Sequence, residues 1–217
     1  MIALNPDAKN KNMVHELNSL LALLEGELKV KNPNLFKALN SGIDNENILT
    51  KVKEFKIELC PEVCQLYNWK NGTDTEGEFL LGSKWLFPGG IFTSIEGSIE
   101  AYRYYAGKDG YWKKTMFMLF ESGGGEMFLI DCEKKSKTYG TIYKHSLGAV
   151  DYDVLITAYD SLTTWAQTIL ECYQQKIYHS TNSQTLQSDY KSEILIARKN
   201  NPRADLWKLF GWLPNSK

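Results

Sequence analysis

Three carboxylates, Glu121, Glu126 and Asp131, flank a run of glycines at Gly123, Gly124 and Gly125. Gathered in one cleft, two of them could serve general acid–base chemistry, one protonated beside an ionised neighbour. Spread along a hairpin, the same residues are solvated turn charges or acceptors for a basic partner, and their spacing does not separate these readings. The glycine run is not a phosphate cradle. A strand-like stretch, Met127 to Ile130, follows it instead of a helix, and neither G-x-x-x-x-G-K-S/T nor G-x-G-x-x-G occurs. A tight turn between strands is the reading it supports.

A nucleophile needs a base within hydrogen-bond reach. Ser146 follows His145, but neighbours on a strand point to opposite faces, and no G-x-S-x-G elbow is present. The four cysteines, Cys60, Cys64, Cys132 and Cys172, carry no local signature of a cysteine hydrolase. Cys60 and Cys64 stand one helical turn apart and no C-x-x-C occurs, so the expectation is reduced thiols, with neither a zinc knuckle nor a disulfide framework. His15, His145 and His179 are far apart. No catalytic set, metal or cofactor is therefore expected. The aromatics near loops and helix ends remain: Trp69, Trp85, Trp112 and the pair Tyr104–Tyr105. Such side chains make good interface anchors, because they bury much area at small entropic cost.

The elements that must position these residues are legible in part. Val14, Leu17, Leu21, Leu24 and Leu28 recur at helical spacing, and Pro33 ends that helix. Asp44 is a plausible N-cap for a second helix with Ile48, Val52, Phe55 and Leu59 on its core face. A third helix starts at Pro61, faces the core with Val63, Leu66 and Tyr67, and is expected to end in a left-handed glycine at Asn71–Gly72. Phe79–Leu81 and Trp85–Phe87 read as short strands, Pro88–Gly90 as a turn, and Thr93 with Glu96 as a capping box for a helix over Ile95, Ile99, Tyr102 and Ala106. Met116–Phe120 and Met127–Ile130 read as buried strands, Tyr139–Tyr143 as a half-exposed one, and Asp151–Tyr159 as the place for another. A helix capped by Asp160 or Ser161 carries Leu162, Trp165, Ile169 and Tyr173. His179–Ser188 reads as a polar linker, Tyr190–Lys199 as a short helix, and Leu206, Trp207, Leu209, Phe210 and Trp212 as an apolar tail that packs back on the domain or on a partner. Short connections between strands imply an α+β fold, a largely antiparallel sheet with helices packed on one side.

The stretch from Ile57 to Asp74 resembles the opening signature of the SUKH superfamily, the Smi–Knr type of domain. The resemblance lies in Leu59, Pro61, Glu62, Leu66, Tyr67, Trp69, Asn71 and Gly72, with Cys60 interrupting the usual leucine–proline pair. Phe117 to Asp131 resembles the second block of that family: a strand, a turn through Gly124 and Gly125, and a second strand ending in Asp131. The resemblance spans Val14 to Tyr178. It implies a SUKH-like domain over residues 1–178, with 179–217 as linker and tail.

Composition allows this without deciding it. A chain of 217 residues can bury a full core, and 43% hydrophobic with 24% charged residues is ordinary for a globular protein. A net charge of -1 supplies no global pull toward nucleic acid or an anionic membrane. Met1–Asn12 is short and polar, unlike a signal peptide, and no stretch is long enough to span a bilayer, so a cytoplasmic address is expected. The resemblance implies a non-enzymatic immunity protein that binds a cognate protein toxin, often a nuclease or deaminase, as a monomer or weak homodimer. Trp69, Asp74, Glu76, Glu78, Glu121 and Glu126 are then the candidate contacts, and Pro61, Tyr67, Asn71, Gly72, Gly124, Gly125 and Asp131 the structural signature. An intracellular regulatory or scaffold protein is the alternative. A small-molecule enzyme using the carboxylates beside the glycine turn is a second.

Overall fold

The computed structural model describes residues 6–108, 112–146 and 155–209, with side chains from Glu16 onward. Leucines at three- and four-residue spacing form one buried face of α1 (Pro6–Lys31), where Leu17, Leu24 and Leu28 are wholly inaccessible. Val14, the first residue of the expected stripe, lies outside the described side chains. Pro33 opens α2 (Pro33–Ala38), where its missing N–H is harmless, and the Asn32 side chain accepts from the Leu35 N–H. After β1 (Leu39–Ser41), Asp44 caps α3 (Asn45–Val52) by accepting the Asn47 N–H at 2.8 Å. A short 3-10 turn follows over Lys53–Phe55, and Lys56 in the left-handed region ends it, so Leu59 lies beyond the helix although it is buried.

The Pro61 helix, α4 (Pro61–Trp69), stops two residues earlier than expected. Lys70 is extended, and Asn71 and Gly72 lie inside β2 (Lys70–Thr73), which pairs antiparallel with β1. Gly72 is left-handed, with φ +78, but not as a helix terminus. The reason is a backbone contact: a Cβ on Gly72 would fall 2.3 Å from the Ser94 nitrogen. Around that contact, Asn71 Oδ1 accepts the Ile95 N–H at 2.9 Å, and the Tyr67 hydroxyl donates to the Thr93 carbonyl and sits 2.9 Å from Ser98 Oγ. Three signature residues thus dock α4 and β2 onto the start of the next helix.

That helix, α5 (Ile95–Tyr105), follows β3 (Ile91–Phe92) and is capped by Ser94, which accepts from the Gly97 N–H, and not by Thr93. β4 (Met116–Glu121), β5 (Glu126–Asp131), β6 (Ile142–Ser146) and β7 (Ile156–Tyr159) complete a five-stranded antiparallel sheet in the order β3-β4-β5-β6-β7. Tyr139 and Thr141 precede β6, in the turn that Asp131 organises, and Asp151–Val154 lie outside the described residues. Ser161 caps α6 (Leu162–Gln174) in a box with Thr164. The expected linker is instead a hairpin, β8 (Tyr178–Ser180) and β9 (Leu186–Ser188), closed by hydrogen bonds among Thr181, Ser183 and Thr185 that reading its polar composition alone could not reveal. α7 (Tyr190–Asn200) and a 3-10 turn over Leu206–Lys208 end the described chain. Trp207 packs back as expected, buried and donating its Nε1 to the Ala158 carbonyl at 2.6 Å, whereas Phe210 and Trp212 lie outside the described residues.

The strands divide their side chains by alternation. Phe117, Leu119, Phe128, Ile130 and Ile142 join α1, α4 and α6 in the larger core. Met116, Met118, Met127 and Leu129 point to the other face, with Trp112. α5 reaches both, burying Ile95, Ile99 and Tyr102 in the first and placing Ala101 and Tyr105 against the second. Phe79–Leu81 and Trp85–Phe87 do not form strands; Phe87 makes an isolated bridge to Gly90 across the Pro88–Gly89 turn.

Replacing Gly72 by alanine combines a strained backbone with a clash against Ser94, and should cost about 2 kcal/mol or more. Asn71→Ala removes the acceptor for the Ile95 N–H together with an exposed donor to Glu96 Oε2 at 3.2 Å, and should cost about 1 kcal/mol. Urea unfolding of both variants checks the order. A separate expectation concerns Glu193, which is buried and accepts from Tyr178 Oη at 2.7 Å and Ser188 Oγ at 2.6 Å. Burial pushes its carboxyl up, against the pull of those two donors. The fold therefore holds this proton more tightly than the unfolded chain does, and the associated stability is full below the ordinary carboxylate pKa and lost as pH rises through the folded value. Glu193→Gln should remove that component, so the melting temperature of the variant relative to the parent should rise as pH is raised from about 4 through the folded value.

Candidate functional site

The segment 74–90 leaves the fold at β2 and returns at β3, and it is fastened along its length. At its start the Asp74 N–H donates to the Ala38 carbonyl at 2.7 Å, and Asp74 Oδ1 accepts the Glu76 N–H. In its middle the Gly82 carbonyl accepts the Leu186 N–H from β9 at 3.0 Å. Near its end Trp85 Nε1 donates to the Ser122 carbonyl at 3.0 Å, and Phe87 sits among Phe120, Phe128, Tyr159 and Trp165 with ring centroids 5.2 to 6.2 Å away. Between these fixtures Phe79, Leu80 and Leu81 are 38%, 60% and 57% exposed, beside the exposed Glu76 and Glu78. Three consecutive large apolar side chains facing water on a fastened loop form the patch that most needs an explanation.

The loop meets the glycine turn. Leu81 Cδ1 would lie 3.1 Å from a Cβ on Gly123. In the turn itself Gly123 and Gly125 are left-handed, and Ser122 Oγ accepts the N–H groups of Gly124 and Glu126. Those N–H groups are committed to the turn, consistent with a strand connection. Trp69 is not part of this face: half-buried, it donates Nε1 to Glu25 Oε2 on α1 at 3.0 Å.

The three carboxylates do not converge. Glu121 pairs across the sheet with Met127 near the glycine turn, whereas Asp131 pairs with Met116 at the opposite end of the two strands. Asp131 is buried as a turn organiser, accepting from the Glu133 N–H and from Thr138 Oγ1. Glu126 forms an ion pair with Lys144 at 2.6 Å. Glu121 alone is half-buried with its carboxyl pushed up by desolvation; it lines a groove of about 610 Å³ between α5 and the β4–β5 hairpin. A paired acid–base arrangement is therefore not assembled from these residues.

Three of the four cysteines hold their thiols above the ordinary pKa. Cys60 and Cys132 are buried with sulfurs 3.4 Å apart, and this contact, together with burial, pushes the Cys132 thiol well up. Burial pushes Cys64 up and Cys172 up to about 12. A raised pKa leaves little thiolate, the reactive species. Among the described residues no group of three or more His, Cys, Asp or Glu side chains is placed to hold a metal ion, and no helix is long and apolar enough to cross a membrane.

Sequence reasoning missed Phe79, Leu80 and Leu81 because an apolar run of strand length reads as buried. Gly77 and Gly82, both left-handed, bracket the run, and they were the available sign of a loop.

Compared with known proteins, residues 42–168 match the family model described as SMI1 / KNR4 family (SUKH-1), over more than half of the chain. No curated protein matches the chain.

Iodoacetamide on the native protein at neutral pH should label Cys64, the one partly exposed cysteine, before Cys60, Cys132 or Cys172. Peptide mapping over time reads the order.

Proposed function

The chain belongs to the SMI1/KNR4 family (SUKH-1), and from that membership we propose that it acts as a non-enzymatic immunity protein, binding and neutralising a cognate protein toxin at a fixed molar ratio. SUKH domains are common among bacterial immunity proteins whose toxins are nucleases or nucleic-acid deaminases. On this reading the protein works in the cytoplasm as a monomer or weak homodimer and touches its toxin, without contacting nucleic acid or membrane itself.

The observation that carries the reading is the exposed run Phe79–Leu81 on a loop tied to β9, the glycine turn and the core. A loop already held in place loses little further freedom on binding, so apolar burial at its tip converts efficiently into affinity. Glu76 and Glu78 at its edge suit a basic partner and would act mainly on the association rate.

The test is co-expression with the product of the adjacent toxin gene, then calorimetric titration of the purified pair. Protection should saturate at a fixed ratio. Leu80→Asp should weaken binding by about tenfold or more with the melting temperature unchanged, because its side chain already faces water; Leu81→Asp should weaken binding as well but also gives up the contact with the glycine turn. Protection by trace amounts, with turnover of a small molecule or modification of the toxin, would overturn the proposal.

A further inference from the structure

The groove between α5 and the β4–β5 hairpin exists because α5 turns Gly97 and Ala101 toward it, one helical turn apart and too small to fill it. Met118 and Met127 line the sheet side. Tyr104 and Tyr105, in edge contact at 4.6 Å, line it toward the C-terminal end of α5, where Tyr105 also packs on Trp112. Glu121 lies toward the other end, where β3 pairs with β4. Thioether, aromatic rings and one carboxylate are the set that recognises a cation carried on an aliphatic stem.

The remaining charges bear on the sign of the ligand. Arg103 is committed elsewhere: its guanidinium forms an ion pair with Glu54 and lies over the Phe55 ring. Lys108 rests its ammonium 4.5 Å over the Tyr104 ring at the rim. Glu100 is exposed at the same rim. An anionic ligand would face both Glu100 and Glu121, with Lys108, held over the Tyr104 ring, as the one cation outside an ion pair among the described lining residues. A cationic side chain meets Glu121 in a half-buried setting where a lone carboxylate is poorly solvated, and pairing relieves that penalty.

We propose that this groove seats a lysine or arginine side chain of the partner, with Glu121 as its counter-ion. The proposal rests on the immunity reading and gives the partner a chemical feature: a basic residue beside the apolar surface that meets Leu81, since Gly123, two residues from Glu121, contacts that leucine.

The groove can be tested without the toxin. N-acetyl-arginine amide and its neutral analogue N-acetyl-citrulline amide are titrated into the full chain carrying 13C-methyl methionine, and the Met118 and Met127 methyl signals are followed. The arginine probe should shift both signals saturably, and citrulline should bind at least tenfold more weakly. Glu121→Gln should abolish the difference while melting no lower than the parent, and Glu58→Gln, at a distant surface pair, should leave it intact. Binding should weaken as pH falls and Glu121 takes up its proton; Glu100, Arg103, Tyr104, Tyr105 and Lys108 are the other titratable groups lining the groove. Equal response to both probes, an unchanged response in Glu121→Gln, or no shift at either methyl would overturn the assignment. Toxin titration separates the two proposals. A toxin that binds Glu121→Gln as tightly as the parent defeats the counter-ion role alone, whereas a toxin that does not bind the parent defeats the immunity reading and leaves the probe result to judge the groove.

Discussion

The backbone of Gly72 lies against the backbone of Thr93 and Ser94 so closely that no side chain fits between them. This contact sets where α4 and β2 stand relative to α5 and the edge of the main sheet. Tyr67 and Asn71 reinforce it with hydrogen bonds to the first turn of α5, so an aromatic, an amide and a glycine within six residues act as one joint. The chain leaves the joint at Thr73 and is back against it at Thr93. The ends of the intervening segment are thus already together, and little closure entropy is left for the segment itself to overcome.

What that segment does with its freedom depends on a second fixture. Phe87 sits edge-on to four aromatic rings of the larger core, and the approach of Gly90 to the Phe87 ring again tolerates no Cβ. With Phe87 buried there and Trp85 tied to the glycine turn, Phe79, Leu80 and Leu81 are left on the outside. The apolar tip is exposed although the loop is fastened before it at Asp74 and after it at Gly82, Trp85 and Phe87.

The polar residues follow the same division. Asn71 and Ser122 spend their side-chain oxygens on backbone N–H groups, and Asp131 on a backbone N–H and the Thr138 hydroxyl, which fixes turns and caps rather than reagents. Glu193 is buried between two hydroxyl donors, and Glu126 is matched with Lys144. Glu121 differs from these in lining an open groove from a half-buried position. Recognition surface, apolar on the loop and acidic in the groove, is therefore concentrated around one end of the β4–β5 hairpin.

The amino-acid sequence by itself determined the elements whose signal is local. Helical spacing of leucines, Asp44 as a cap, a cap at Asp160 or Ser161, Pro61 at a helix start, and the apolar runs of β4 and β5 all report their own conformation within a few residues. So does the α+β class, which follows from the order of such elements. The family signature was legible too, but not its physical meaning. Gly72 read as the end of a helix because a left-handed glycine after an apolar face usually is one, whereas its conformation answers to Ser94, more than twenty residues away. The hairpin at Tyr178–Ser188 was hidden for a related reason: most of its residues are polar, its two buried residues Tyr178 and Leu186 are too few to show a strand period, and Gly82, which holds it to the loop, is remote in sequence. Phe79–Leu81 show the limit most plainly. Apolar character says that a residue gains by burial, but whether it is buried depends on what space the rest of the chain has already filled, and that is settled only in three dimensions.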